Sequence, residues 1–221
     1  MNILAFNGSP RRSGNTSLLL REFLKGACEY GARCEVVIAH ETNLDYCKGC
    51  LRCNVLKRCS IKGDDWPVLS AKILRADAIV FASPVYFHHL TAPLKKVVDR
   101  FRSFINVQIT PQGLKHTPWV TWKKKFVLLL PLGSPDATDA KPIIDLFTFL
   151  TTVLGPENTL HTLIGKRLAV INQVGMSPER LRTLYDRLQL PVELAEKDYH
   201  RNQALLKKCY ALGHHLAAST T

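Results

Sequence analysis

Four cysteines, Cys47, Cys50, Cys53 and Cys59, crowd into thirteen positions at the spacing C-x2-C-x2-C-x5-C. Four thiolates are the ligand set of an iron-sulfur cluster, and compact C-x2-C-x2-C runs are a ferredoxin-type arrangement. The same thiols also admit zinc, which prefers paired C-x2-C hooks from separate turns, or no metal, as plain thiols shaping an interface loop. From Asp45 to Lys62 the segment carries Lys48, Arg52, Lys57, Arg58 and Lys62 against one acid, a local balance of 5 minus 1, or +4. On a bare loop these cations are merely solvated; beside an anionic cluster they stabilise its reduced form and steer an acidic partner.

A second constellation is Asn7-Gly8-Ser9-Pro10-Arg11-Arg12-Ser13-Gly14-Asn15-Thr16-Ser17. Its small residues let backbone amides approach an anion, its hydroxyls donate hydrogen bonds, and a helix starting at its end adds a favourable dipole. Arg11 or Arg12 supplies the countercharge. The segment lacks the lysine of a Walker loop and the GxGxxG of a dinucleotide fold, so the expected ligand is a phosphate monoester.

These groups need a scaffold, and the hydrophobic pattern predicts one. Short apolar runs at residues 1 to 6, 34 to 39, 78 to 82 and 126 to 132 alternate with helix-like spacing at 16 to 30, 66 to 75, 91 to 104 and 140 to 154. A fifth strand is placed within 167 to 174. Ser177 and Pro178 open a further helix, Pro191 breaks it, and a last helix runs through Leu205, Leu206 and Tyr210. Such βα alternation predicts a doubly wound, five-stranded parallel sheet with helices on both faces, and ligands at the carboxyl ends of the strands. Two segments exceed ordinary connections: 40 to 65, with the cysteines, and 105 to 125, with Trp119, Trp122 and Lys123 to Lys125. At 221 residues the chain is expected to be one domain.

The first loop, Gly8-Ser9-Pro10-Arg11 followed by Gly14-Asn15-Thr16, resembles that of the NAD(P)H-dependent FMN reductase group of flavodoxin-like proteins. The likeness continues through Ser83-Pro84-Val85-Tyr86-Phe87, Thr91-Ala92-Pro93-Leu94-Lys95 and Asp99-Arg100, covers about the first 105 residues, and returns weakly at Tyr210-Ala211-Leu212-Gly213. The resemblance implies that Ser9, Arg11, Ser13, Asn15, Thr16 and Ser17 hold the phosphate of FMN and that Pro84, Val85, Tyr86 and Phe87 line its ring. Topology alone adds a third contact, Pro131 to Asp136, where Gly133 and Ser134 allow close backbone approach. His88 and His89 are read as rim residues without a catalytic role, because a bound flavin carries the redox chemistry itself.

The cysteine spacing resembles the iron-sulfur flavoprotein branch of that group, in which a [4Fe-4S] cluster lies near FMN, generally that of a neighbouring subunit. Cluster-free relatives carry a similar Cys-x-Gly-Cys-x-x-Cys run followed by a cysteine and an Asp-Asp pair, matching Cys47 to Asp65 here. Three functions therefore stand: an electron-transfer protein passing electrons between a donor such as ferredoxin, a cluster, FMN and an acceptor; a cluster-free NAD(P)H-dependent FMN or quinone reductase; and a non-enzymatic flavin carrier or sensor.

Charge and composition narrow the setting. Thirty basic against 18 acidic residues leave a net +12, which favours acidic or phosphorylated partners. Nucleic acid is a minor reading, carried by Trp119, Trp122 and the lysine run. The N-terminus opens directly on a strand pattern, no apolar run approaches the roughly 20 residues that span a bilayer, and seven cysteines without an export leader read as reduced thiols; a cytoplasmic protein is expected. Cys28, Cys34 and Cys209 are read as isolated, ordinary thiols. The long excursions point to a homodimer or homotetramer.

Overall fold

The computed structural model describes residues 1 to 219. Strand β1 (Asn2–Asn7) leads through the phosphate-type loop into helix α1 (Asn15–Glu29), and β2 (Arg33–Ile38) follows. The cysteine segment holds one short helix, α2 (Cys53–Leu56), before α3 (Trp66–Arg75), β3 (Ala78–Ala82) and α4 (Ala92–Arg100). After a hairpin of β4 (Ile105–Thr110) and β5 (Gly113–Pro118) come β6 (Lys125–Pro131), α5 (Lys141–Leu154) and β7 (Thr159–Gly165). Helices α6 (Pro178–Arg187) and α7 (Leu194–Ala218) complete the described chain.

Strands pair in the order β2-β1-β3-β6-β7, all parallel. Because successive strand residues face opposite sides, each central strand feeds two cores. Leu4, Phe6, Ile79, Phe81, Phe126 and Leu128 pack under α3, α4 and α5, while Ile3, Ala5, Val80, Val127 and Leu129 pack under α1 and α7. Helices α1 and α7 touch backbone to backbone: a Cβ on Gly26 would sit 2.1 Å from the Tyr210 carbonyl oxygen, and one on Gly213 would sit 2.0 Å from that of Phe23. That contact gives the Tyr210 to Gly213 segment a packing reason.

The fifth strand is β7, residues 159 to 165, and not a segment within 167 to 174 as the apolar pattern suggested. An edge strand is covered on one side only, so Thr159, His161 and Thr162 dilute its apolar signal. Residues 167 to 174 form a loop in which Arg167 and Asn172 take left-handed conformations at φ 55° and 60°; its Leu168 and Val174 are apolar because they are buried beneath it.

The 105 to 125 segment is a two-stranded antiparallel hairpin with a buried root rather than a plain loop. Trp122 stacks near Phe126 within the aromatic core, and Trp119 donates Nε1–H to the Ser103 carbonyl, 3.1 Å away. Lys124 donates to the carbonyl of Leu74. These contacts give both tryptophans and Lys124 a place within the fold.

Candidate functional site at the carboxyl edge of the sheet

Loops leaving β1, β3, β6 and β7 meet at the carboxyl ends of the strands around a crevice of about 240 Å3. Its wall includes Ser9, Arg11 and Thr16 from the first loop, Pro84, Val85 and Tyr86 from the second, and Gly133 from the third. The first amides of α1 have no intrahelical carbonyl partner, so a helix opening here presents donors to an anion.

The first loop is shaped by its own side chains. The Ser9 amide donates to Asn7 Oδ1 at 3.0 Å, the Arg11 amide to Ser9 Oγ at 3.1 Å, and the Ser17 hydroxyl to the Arg11 carbonyl at 3.2 Å. The loop is also anchored from below, as Gly8 N–H donates to the Ala82 carbonyl and Thr91 Oγ1 donates to the Gly8 carbonyl, each 2.8 Å. A Cβ on Gly8 would meet Thr91 Oγ1 at 2.8 Å, so the approach of the loop to α4 depends on glycine.

The two arginines separate. Arg12 is paired with Glu41 at 2.9 Å, whereas Arg11 stays at the crevice, with only a 3.5 Å hydrogen bond to the Ala169 carbonyl. Asn15 does not offer its side chain to a ligand: Nδ2 donates to the carbonyls of Leu168 and Val170 at 2.9 and 2.8 Å, and Oδ1 accepts from Val174 N–H at 2.9 Å. It clamps the loop after β7 over the start of α1. Ser13 is exposed and outside the crevice wall, and Ser17 lies beside it with its hydroxyl turned to the backbone.

The second loop leaves β3 with Ser83, whose hydroxyl donates to the Pro84 carbonyl at 2.8 Å and accepts from Thr91 N–H at 3.2 Å. Tyr86 and His89 exchange two backbone hydrogen bonds of 2.9 Å across a two-residue turn. Phe87 and His88 occupy that turn at φ 47° and 61°, the left-handed pair of a type I′ hairpin. Phe87 is therefore thrown outward, fully exposed, and does not line the crevice. His88 lies 3.6 Å from Asp139, and His89 accepts from Leu90 N–H, its pKa lowered by burial and by Lys95.

The third and fourth loops lock together. Leu132 N–H donates to Gly165, Leu168 N–H to Leu132, and Arg167 N–H to Ser134. Gly133 borders the crevice; Ser134 does not, its hydroxyl accepting from Asp136 N–H. Leu168 and Ala169, which the sequence reading missed, join the wall. Placing the last strand at 159 to 165 would have found them, since the loop after any strand of a parallel sheet borders the same edge. The loop is held from outside by Asp198, fully buried, which accepts from Arg167, from Tyr185 at 2.6 Å and from Arg201 at 2.5 Å. Burial works against ionisation of Asp198, yet these donors hold its pKa below the usual carboxylate range.

The four cysteines line a second, narrow hollow of about 30 Å3 with Arg100 and Arg102 on its inner side. Their loop turns through three left-handed residues, Gly49, Leu51 and Lys57. Arg102 donates to Cys53 Sγ at 3.4 Å and to Asn54 Oδ1 at 2.9 Å, while Asn54 Nδ2 donates to the Val107 carbonyl, fastening the segment to the hairpin. The thiols are not equivalent. Burial pushes Cys53 up in pKa, whereas the Arg52 amide and the Ser60 hydroxyl lower that of exposed Cys50. Among the described residues no group of three or more His, Cys, Asp or Glu side chains is gathered at metal-binding geometry. The donor set nevertheless fits a cluster in its chemistry, four thiols around one hollow with cationic neighbours.

A doubly wound sheet with this strand order and a phosphate-type loop after β1 defines a flavodoxin-like protein. Residues 1 to 156 match the model of the NADPH-dependent FMN reductase family, and the chain belongs to that family. It is 39% identical over 102 residues to an iron-sulfur flavoprotein of Methanocaldococcus jannaschii, covering 46% of this chain and 52% of that one. An iron-sulfur flavoprotein of Archaeoglobus fulgidus is 35% identical over 136 residues, covering 62% and 58%. The matches thus span just over half the length of these curated relatives. Among solved structures, an FMN-dependent NADH-azoreductase of Bacillus anthracis in complex with FMN superposes with a TM-score of 0.64 at 12% identity, over 98% of this chain and 100% of that one. An NAD(P)H:quinone oxidoreductase of Methanothermobacter marburgensis superposes with a TM-score of 0.61 at 17% identity, over 98% and 96%. At such identities these two share the fold.

Proposed function

We propose that the chain is an FMN-dependent oxidoreductase of the iron-sulfur flavoprotein kind, with FMN in the four-loop crevice and a [4Fe-4S] cluster on Cys47, Cys50, Cys53 and Cys59. The observation that carries the flavin is the joining of a helix start, an arginine without an acidic partner among the described residues and three further strand-end loops in one crevice. Ser9, Thr16, Arg11 and the first amides of α1 would hold the phosphate, and Pro84, Val85, Tyr86, Gly133, Leu168 and Ala169 would border the ring. Ser13 and Ser17 take part through their backbone only, and Asn15 by keeping the last loop closed.

Bound there, FMN supplies one- and two-electron redox chemistry, and a cluster on the four thiolates supplies one-electron exchange. The protein's share is to bind, orient and shield. Arg11 neutralises the phosphate, the half-buried Pro84 and Val85 keep water from one side of the crevice, and Arg102 places positive charge beside the thiols, the charge of Arg100 being balanced by Asp64. Helix α4 is preceded by its N-cap Thr91, tied to the phosphate loop, and ends at Arg100 on the cysteine hollow, so its nine residues span about 14 Å between the two sites.

A second reading, a cluster-free NAD(P)H-dependent FMN or quinone reductase, is favoured by the narrowness of the cysteine hollow, about 30 Å3. The net +12 suits either a phosphorylated nicotinamide or an acidic ferredoxin as donor. Assembly into a homodimer or homotetramer is supported by Val55, Ile109, Leu114 and Val120, which the cysteine segment and hairpin expose. A cytoplasmic setting is part of this reading, because four cysteines in one short segment serve as metal ligands only as reduced thiols; no described helix is long and apolar enough to cross a membrane.

Iron and acid-labile sulfide assays with a visible spectrum, on protein purified without oxygen, test this. About four irons per chain with flavin bands are expected. Flavin without iron would leave the cluster-free reductase, tested by bleaching with NAD(P)H; bound flavin with negligible turnover would leave a carrier or sensor; no flavin would overturn the reading altogether.

A further inference from the structure

The fold brings together two cysteines that no reading of the sequence paired. Cys28 lies in the last turn of α1 and Cys34 is the second residue of β2, with the turn Tyr30-Gly31-Ala32 between them. Their Sγ atoms are 2.7 Å apart, only about 0.7 Å longer than a disulfide bond. The backbone holds them there from both sides: Gly31 N–H donates to the Cys28 carbonyl, Ala32 N–H to Ala27, and Arg33 N–H to Met1, which sets Cys34 opposite Ile3 on β1. Neither thiol belongs to the cysteine hollow or to the crevice. Thirteen residues of helix separate Cys28 from Asn15, about 20 Å.

The geometry points to a separate dithiol site, in which Cys28 and Cys34 form an intrachain disulfide by exchange with a small-molecule disulfide. Cys28 is exposed and Cys34 half-buried, so the incoming disulfide meets Cys28 first. Its thiolate attacks one sulfur of the small disulfide, a mixed disulfide forms, and one small thiolate leaves. Cys34 then attacks Cys28 Sγ, passes its proton to the departing second thiolate, and closes the ring. The protein dithiol is oxidised by two electrons and the small disulfide is reduced to two thiols, the first taking the proton that Cys28 released on ionising. The order agrees with the environment of Cys34, whose pKa burial and the adjacent Cys28 push up to about 12, leaving it a poor first nucleophile. Arg21 and Lys25 share a surface groove of about 410 Å3 with Cys28, a charge setting that suits an anionic small thiol.

The test equilibrates the purified full chain across ratios of reduced to oxidised dithiothreitol, alkylates remaining thiols, and maps tryptic peptides by mass spectrometry. Cleavage after Lys25, Arg33 and Lys48 puts Cys28 in peptide 26–33 and Cys34 in peptide 34–48. The expected product is these two peptides joined, with Cys47 of the second alkylated, rising along a two-electron curve. Cys28→Ser and Cys34→Ser should each abolish it. Alkylation of both cysteines at every ratio, or Cys28 joined to any other cysteine, would overturn the assignment; since the readout is a protein disulfide, it does not depend on flavin or iron.

Discussion

Arg100 and Asp64 form an ion pair at 2.5 Å that is almost wholly removed from water, with side-chain exposures of 0% and 3%. Arg100 also donates to the Asp45 carbonyl and lies 5.2 Å from the Trp66 ring centroid, while Asp64 accepts from the Asp45 and Trp66 amides. The pair thus ties the start and end of the cysteine segment to the end of α4. Removing one partner of a buried pair leaves an uncompensated charge, so Asp64→Ala should cost about 3–5 kcal/mol in urea unfolding. A loss under 1 kcal/mol would show that water reaches Arg100.

The two arginines of the phosphate loop should differ. If Arg11 pairs with the phosphate, Arg11→Ala loses a charge-assisted contact of about 1.5–3 kcal/mol and should weaken FMN binding roughly tenfold to a hundredfold by fluorescence titration. Arg12→Ala breaks only an exposed pair with Glu41 and should leave affinity within about twofold. Equal effects would place the phosphate elsewhere.

Asn15→Ala removes three hydrogen bonds that close the loop after β7. Leaving a buried donor or acceptor unpaired costs about 1–3 kcal/mol. Hydrogen exchange at 168 to 174 should accelerate, and flavin should dissociate faster. Unchanged exchange there would mean that Asp198 and its arginines suffice.

Acid should loosen the same loop. Donors from Arg167 and Tyr185, together with Arg201, hold the folded-state pKa of Asp198 below its unfolded value against the opposing effect of burial. Its contribution is therefore complete above the ordinary carboxylate pKa near 4 and is lost as pH falls through the lower folded value. The melting temperature of the native chain should fall more steeply below about pH 4 than that of Asp198→Asn, which has lost this titration. Parallel curves would assign the acid lability to Asp64 instead.

If the four cysteines hold a cluster, Cys47→Ser, Cys50→Ser, Cys53→Ser and Cys59→Ser should each lower iron content while flavin content stays near one per chain. Iron retained in all four variants would return the segment to a structural role.

The alternation of strands and helices and the loop at residues 7 to 17 were legible in the sequence because both are local. A strand period, a helix start and a run of small polar residues are set by neighbours in the chain. The sequence by itself likewise determined that four thiols stand within one short segment. The tertiary structure decided what depends on partners distant in sequence. It placed the last strand at 159 to 165, where an edge position weakens the apolar pattern, and turned 167 to 174 into a wall of the crevice. It sent Asn15 to that wall, Arg12 to Glu41 and Phe87 outward on a left-handed turn, leaving Arg11 facing the crevice. It also set Cys28 against Cys34, because a helix end and the following strand must return to the same sheet edge, and no spacing rule encodes the distance at which two side chains then meet.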